Sequence, residues 1–378
     1  MYICKGFVIR SDMIIGIVAH SAFEEKRTGV EEYAYQLINH LAMLPESKRH
    51  QFFLYVKKKR DKPEGFPENF IIKPLSAPIF WSQGRLALEM LFHKPDVLFV
   101  PGHILPRIHP KNSIVTIHGL EFEYFPEMYP TRHQRYLRFA TKYSAHHAKK
   151  IIAASQTTKD DLMELYGIDA SKIYVVPHGV NVLNENEISE SQPLFEAPYI
   201  LFIGTKEKKK NIFGLIKAFV LLKEKYKIPH KLILAGGKPN RRFYQEENID
   251  KIIKELKCKE DIVNLDFVSE KEKWNLLRNA QIFAYPSFYE GFGMPILEAQ
   301  AAGVPIVTSN VSALPEIAGS GAILIDPRDI EEMTEAIYKI INNEGLGNDL
   351  IKKGFDNVKK FSWEKCAKET LQQLTSNI

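Results

Sequence analysis

The sequence predicts an α/β protein of two domains, each built on a parallel sheet. Three observations carry this. The chain has 378 residues, too many for one compact core, so two domains are the natural division. Short apolar, β-branched runs alternate with segments of helical periodicity in both halves. A strand–loop–helix turn opens each half, at residues 13–44 and 199–226.

Composition narrows the class. Hydrophobic content of 45% and charged content of 26% are those of a soluble globular protein. The net charge of +5 is too small to imply nucleic acid by itself. Cys4, Cys258 and Cys366 are scattered and odd in number, which gives neither a disulfide framework nor a metal spacing and fits a reducing cytoplasm. No apolar run approaches a membrane span. The opening MYICKGFVIRSD lacks the apolar core of a signal peptide, and residues 1–12 are expected to lie outside the first sheet.

Met13 to Ala19 is the first strand. A polar loop leads to Gly29 and a helix with Val30, Tyr33, Leu37 and Leu41 on one face. Phe52 to Val56, Asp96 to Val100 and Ser113 to Ile117 are further strands, and the segment KKKRDKPEGFPEN reads as a solvated loop. His118 follows the third of these strands, at the edge where open α/β sheets bind ligands. From Arg132 to Lys150 there are six Lys and Arg and no acid. Arg132, Arg135, Arg138 and Lys142 share one helical face, with Tyr136, Phe139 and Tyr143 on another. The segment reads either as a solvated helix with its aromatic face packed inward or as a surface for anionic lipid headgroups. Ile151 to Ala154, a helix from Ser155 to Gly167, and Ile173 to Val176 complete this half. The polar stretch NVLNENEISESQPLFEAP is the linker candidate, with the domain limit set at residue 185.

Tyr199 to Gly204 opens the second half. Its loop carries Lys208, Lys209 and Lys210, then Asn211 suited to cap a helix over 212–226. Cations beside a helix N-terminus make a diphosphate site. Lys231 to Ala235 and Ile262 to Val268 are the next strands. The stretch 281–329 then reads strand (Ile282 to Tyr285), loop, helix, strand (Val304 to Thr308), with a third strand candidate at Ala322 to Ile325. Glu290 stands in its loop and Glu298 about one turn into its helix. Gly291 and Gly293 allow close backbone approach to a ligand, and Pro295 suits a first helical turn. Two such carboxylates beside free helix donors suit a ligand with hydroxyls and anionic oxygens.

The run EGFGMPILEAQAAGVPIV, with Glu290 and Glu298 separated by seven residues, resembles the signature of retaining, nucleotide-sugar-dependent glycosyltransferases of the GT-B fold, family 4. The resemblance spans nearly the whole chain from Met13. It implies two Rossmann-like domains facing across a cleft, with the helix at 361–378 crossing back onto the N-terminal one. It also implies transfer of a hexose of the mannose or glucose class to a glycan or lipid-linked acceptor in cell-surface polysaccharide or glycolipid synthesis. Residue by residue, it places Glu290 and His118 at the donor sugar and Glu298 at the ribose. Gly29, Lys209, Lys210, Gly291, Phe292 and Gly293 fall at the donor diphosphate and its surroundings, and Val268 at the base. Lys209 stands where Arg is more usual, and Gly119 where family members often have Asp. No Asp-X-Asp motif is present and no metal or other cofactor is expected; the lysine loop would do the divalent ion's work. The expected setting is cytoplasmic, with peripheral contact to an anionic membrane through Arg132, Arg135, Arg138 and Lys142, and no nucleic acid. An epimerase or phosphorylase on the same fold, and a non-catalytic subunit binding a partner enzyme, are the competing readings.

Overall fold

The computed structural model describes residues 12–24, 27, 29–77, 80–181, 193–237 and 249–376. Two all-parallel sheets organise it. The first has seven strands: β1 (Ile14–Val18), β2 (Gln51–Val56), β3 (Phe70–Pro74), β4 (Val97–Val100), β5 (Ser113–Ile117), β6 (Lys150–Ala153) and β7 (Ile173–Val175), in the order β3-β2-β1-β4-β5-β6-β7. The second has six: β8 (Tyr199–Ile203), β9 (Lys231–Ala235), β10 (Ile262–Asn264), β11 (Ile282–Tyr285), β12 (Ile306–Ser309) and β13 (Ala322–Ile325), in the order β10-β9-β8-β11-β12-β13. Every residue of β4, β5, β6, β8, β11 and β12 is buried. Parallel strands covered on both faces by crossover helices read as continuous apolar runs for this reason.

Those helices are α1 (Gly29–Met43), α2 (Ala87–Phe92), α3 (Glu121–Tyr124), α4 (Thr131–His147) and α5 (Gln156–Tyr166) around the first sheet. Around the second lie α6 (Ile212–Tyr226), α7 (Ile249–Lys254), α8 (Glu270–Arg278), α9 (Met294–Ala301), α10 (Leu314–Ala318), α11 (Ile330–Ile341) and α12 (Glu344–Val358). Local chemistry fixes their ends. Ser155 caps α5 by accepting from Thr158 N, and Gly167 closes it in the left-handed region at φ 66°. Asn211 accepts from Gly214 N to start α6, as the sequence predicts.

The final helix, α13 (Trp363–Thr375), returns to the first sheet. Trp363, Cys366, Ala367, Leu371 and Leu374 are buried with Tyr33, Leu37 and Leu41 of α1 in one apolar cluster. Lys150 Nζ ties its far end down, donating to the carbonyls of Gln373 and Ser376 at 3.0 and 2.7 Å.

The structure departs from expectation at β3 and β10, and on α4 it goes against one of the two open readings. β3 was not anticipated; it is an edge strand ending at Pro74, and edges tolerate proline because no ladder donor is missed there. β10 stops at Asn264 rather than running to Val268. Tyr136 and Phe139 of α4 are 48% and 56% exposed, so the aromatic face does not pack inward. The linker segment 182–192, the domain limit at 185 and residues 1–11 lie outside the described residues.

Candidate active site

The loops that leave the C-terminal ends of β5 and β11 meet between the two sheets. The contact is backbone to backbone. A Cβ on Gly291 would stand 1.6 Å from the carbonyl oxygen of His118, and one on Gly119 would stand 3.0 Å from Gly291 Cα and 3.3 Å from a Glu121 carboxylate oxygen. Gly119 therefore stands where a side chain would crowd both the partner loop and an existing carboxylate.

Glu290, 7% exposed, sits beside this contact. Its Oε1 accepts from Lys210 Nζ at 2.6 Å and from the Tyr285 hydroxyl at 3.1 Å, and its own N–H donates to Ser312 Oγ at 3.0 Å. Lys210 Nζ also donates to the Tyr285 oxygen at 2.6 Å, closing a triangle of ammonium, phenol and carboxylate. Burial pushes the Glu290 carboxyl up, but Lys210 and Lys209 outweigh it and hold it below the usual carboxylate range. Burial and Glu290 push the Tyr285 phenol well up, so it remains a donor.

Lys209 faces the other sheet's loop, its Nζ 3.8 Å from Glu121 Oε1, and lies 3.7 Å from Glu207 Oε2 of its own loop. Lys208 makes a second crossing, 3.4 Å from Glu127. Each of the three consecutive lysines thus meets a carboxylate. Glu121 was not singled out from sequence, because a glutamate opening a short helix carries no signal of what lies across a cleft.

Glu298 is partly buried on α9, and its Oε1 accepts from Lys273 Nζ at 2.7 Å. Lys273 also pairs with Glu270 at 2.9 Å, so one ammonium serves two carboxylates. Burial pushes the Glu298 carboxyl above its usual range against the pull of Lys273. Lys273 is a second unanticipated residue; in EKEKW it reads as one more solvated cation.

His118 Nε2 bonds the Pro101 carbonyl at 3.2 Å and must donate to it, which leaves Nδ1 as the acceptor. Nδ1 is buried without a protein partner. The ring packs against Tyr33, His103 and His178, at centroid distances of 4.7, 5.5 and 5.2 Å. Burial, then His103, lowers its pKa to about 3, so it is neutral at physiological pH.

The remaining predicted residues fall as follows. Gly29 is the first residue of α1, and a Cβ there would lie 3.8 Å from Cε of Met294, the first residue of α9; two helix N-termini converge across the cleft. Gly293, at φ 104°, forms the left-handed N-cap of α9. Phe292 is 5% exposed and packs on His178 and Phe361, leaving its backbone rather than its ring for a ligand. Val268 is partly buried against the second core, beside an exposed Phe267. Arg132, Arg135, Arg138 and Lys142 lie exposed on α4, with Arg138 Nε 3.1 Å from Glu123 of α3. Among the described residues, no group of three or more His, Cys, Asp or Glu is placed to hold a metal ion.

Two facing parallel sheets, a helix that crosses back, and a cationic loop beside a buried glutamate at the strand ends define a glycosyltransferase of the GT-B class. Residues 27–182 match the family model Glycosyltransferase Family 4, and residues 184–356 match Glycosyl transferases group 1. The chain belongs to glycosyltransferase family 4. It is 27% identical to the O-antigen chain mannosyltransferase B of Escherichia coli, over 91% of this chain and 95% of that protein. Among solved structures it is similar to a sucrose-phosphate synthase from Thermosynechococcus elongatus, with TM-score 0.75, 18% identity, and 95% and 97% of the two chains covered. It is also similar to Alr3699/HepE of Anabaena in complex with UDP-glucose, with TM-score 0.70, 15% identity, and 96% and 100% covered.

Proposed function

We propose that the protein transfers a hexosyl residue, with mannose the first candidate, from a nucleotide diphosphate sugar to a growing cell-surface glycan, with retention at the anomeric carbon. The single observation that carries the reading is the Lys210–Glu290–Tyr285 triangle at the C-terminal end of β11, with Lys209 beside it. Mannose rests on the relative that covers 95% of its own length, an O-antigen mannosyltransferase. A nucleotide sugar as donor is supported by the UDP-glucose complex of the Anabaena neighbour.

Departure of the diphosphate is the demanding step. Lys209, Lys210 and the convergent N-termini of α1 and α9 supply positive potential where that charge grows. Lys binds phosphate as a point charge without the fork of Arg, so the backbone donors share the work. Glu290, held ionised, accepts from hydroxyls of the transferring sugar and offsets positive charge at its anomeric carbon. Glu298, held by Lys273, accepts from the ribose hydroxyls. His118 offers Nδ1 as an acceptor for a sugar hydroxyl. Val268 meets the base through its backbone.

The test is nucleotide release and product analysis with a panel of GDP-, UDP- and ADP-sugars and glycan acceptors, with the anomeric configuration read by NMR. No turnover with any donor, alongside intact nucleotide binding, would refute the catalytic reading in favour of a non-catalytic subunit.

The same reading extends to a peripheral membrane position. No helix among the described residues is long and apolar enough to cross a bilayer. The exposed Tyr136 and Phe139 interleave with Arg132, Arg135 and Lys142 on α4, which supports an interfacial face rather than a solvated one. Co-sedimentation with anionic and neutral liposomes tests it; equal or absent binding to both would remove it.

A further inference from the structure

Glu290 lies in a loop whose flanking residues are held from the other domain. Helix α5 presents Ser155, Thr158 and Asp161, all buried and three residues apart, hence on one face. Ser155 Oγ donates to the Gly291 carbonyl at 2.7 Å, and Thr158 Oγ1 reaches the same carbonyl at 3.3 Å. Asp161 Oδ2 accepts from the Tyr289 hydroxyl at 2.6 Å, and its Oδ1 accepts from Tyr124 at 2.5 Å. The residues before and after Glu290 are both fixed to this face. The Tyr289 oxygen in turn accepts the backbone N–H of Leu120 at 3.0 Å, two residues beyond His118. Glu316 completes the junction by accepting from the N–H groups of Gln156 and Thr157, at 3.0 and 3.1 Å, in the opening turn of α5.

Adhesion between domains would not need this chemistry. A buried carboxylate is costly, and apolar side chains of similar volume hold surfaces together as well or better. What Asp161 adds is direction. Each of its oxygens takes one tyrosine hydroxyl, one from each domain, and the two rings stack at 5.1 Å. A reacting carboxylate has to be held to within about 0.5 Å, and its supporting hydrogen bonds are what do so.

We propose that Asp161 is the positioning residue of this site: through Tyr289 it sets the Glu290 loop, and through the same hydroxyl the His118 loop, so that the catalytic carboxylate is in register only when the two domains are docked on α5. The proposal rests on the reading of Glu290 as catalytic. Asp161 itself touches no substrate.

The experiment compares Asp161→Asn, Tyr289→Phe, the double variant and Glu290→Gln with wild type. It measures kcat and KM for transfer, the Kd of the bare nucleotide diphosphate, and the thermal midpoint. A misplacement of about 1 Å costs on the order of 100-fold in rate, so Asp161→Asn and Tyr289→Phe are each expected to lower kcat by roughly 10- to 100-fold. Nucleotide Kd stays within about twofold because the lysine loop is untouched, and the thermal midpoint falls only by the few degrees that one lost buried hydrogen bond costs. The double variant is no slower than the slower single one, since both act through one bond. Wild-type kcat in Asp161→Asn while Glu290→Gln is slow overturns the proposal alone. Equal loss of kcat, nucleotide affinity and thermal midpoint makes Asp161 merely structural and also overturns it. Additive losses overturn the shared bond. If Glu290→Gln turns over at the wild-type rate, the catalytic reading fails first and the proposal falls with it. Should Asp161→Asn fail to fold, Tyr289→Phe, which loses one hydroxyl, carries the test.

Discussion

Gly291→Ala is a one-carbon perturbation with a large expected effect. The Gly291 φ is not in the left-handed region, so alanine adopts the backbone conformation without strain. The obstacle lies in the other domain. The added Cβ would stand 1.6 Å from the His118 carbonyl oxygen, whereas ordinary van der Waals contact begins at 3.4 Å. The two loops must therefore separate by about 1.8 Å, and neither β5 nor β11 can yield, being buried along their whole length. A misplacement of about 1 Å costs on the order of 100-fold in rate. The expected loss in kcat is thus at least about 100-fold, or roughly 2.7 kcal/mol of transition-state stabilisation. The lysine loop, Glu298 and Lys273 all belong to the second half of the chain, so affinity for the bare nucleotide diphosphate should fall far less than kcat, through the retreat of the α1 N-terminus. The assay pairs steady-state transfer with calorimetric nucleotide titration. Gly345→Ala, on α12 with only Asn343 Oδ1 at 3.4 Å, serves as the control. A Gly291→Ala enzyme that transfers sugar at the wild-type rate with unchanged thermal stability would refute the close approach and the cleft geometry built on it.

Four further outcomes follow from the site. Glu290→Gln should lower turnover by about two to three decades and leave nucleotide affinity nearly intact, whereas Glu298→Gln should weaken nucleotide and donor together; the reverse pattern in titration and kinetics would exchange the two roles. Lys210→Ala should damage both, because the diphosphate is bound in the ground state and gains charge as it leaves. His178 is buried with both ring nitrogens unpartnered, and burial lowers its pKa well below the usual value. The folded state thus refuses a proton that the unfolded chain accepts below about pH 6.5, so stability present above that pH is lost as the pH falls. His178→Phe should raise the neutral-pH stability by about 1 kcal/mol and flatten the loss below about pH 6.5 in thermal melts; an unchanged slope would refute this. Arg132→Glu with Arg135→Glu should weaken binding to anionic vesicles by about 1 kcal/mol or more per site at low salt, and an unchanged bound fraction in co-sedimentation would remove α4 from the membrane face.

The fold was legible where burial is continuous or a cap is local. Parallel strands such as VLFV and SIVTI announce themselves, and Asn211 starts α6 through a bond only three residues long. The Glu290–Glu298 run was legible because its glycines, proline and carboxylates come in fixed order. β3 was hidden because a proline-ended edge strand follows a segment rich in Lys, Pro and Gly. The facing of α4 was not legible, because periodicity says which residues share a face and not which face is inward. The partners were hidden for a different reason. Tyr289 meets Leu120 across 169 residues and Asp161 across 128, and no local pattern encodes such a meeting. Lys273 and Glu121 became informative only when Glu298 and Lys209 were seen beside them.

The return of α13 has a consequence for how the protein is born. The apolar cluster of the first domain stays open until Trp363, Cys366, Leu371 and Leu374 arrive. Those residues leave the ribosome only after the whole second domain has been made. At roughly 5–20 residues per second, the interval between Val176 and Trp363 is about 10–40 s, during which the first domain exposes the α1 face that α13 will cover. Synthesis therefore runs opposite to the usual order, in which the leading domain is finished first. The second domain has the chance to close while the first still waits, and a ribosome stalled short of residue 363 would display a hydrophobic flank that chaperones recognise.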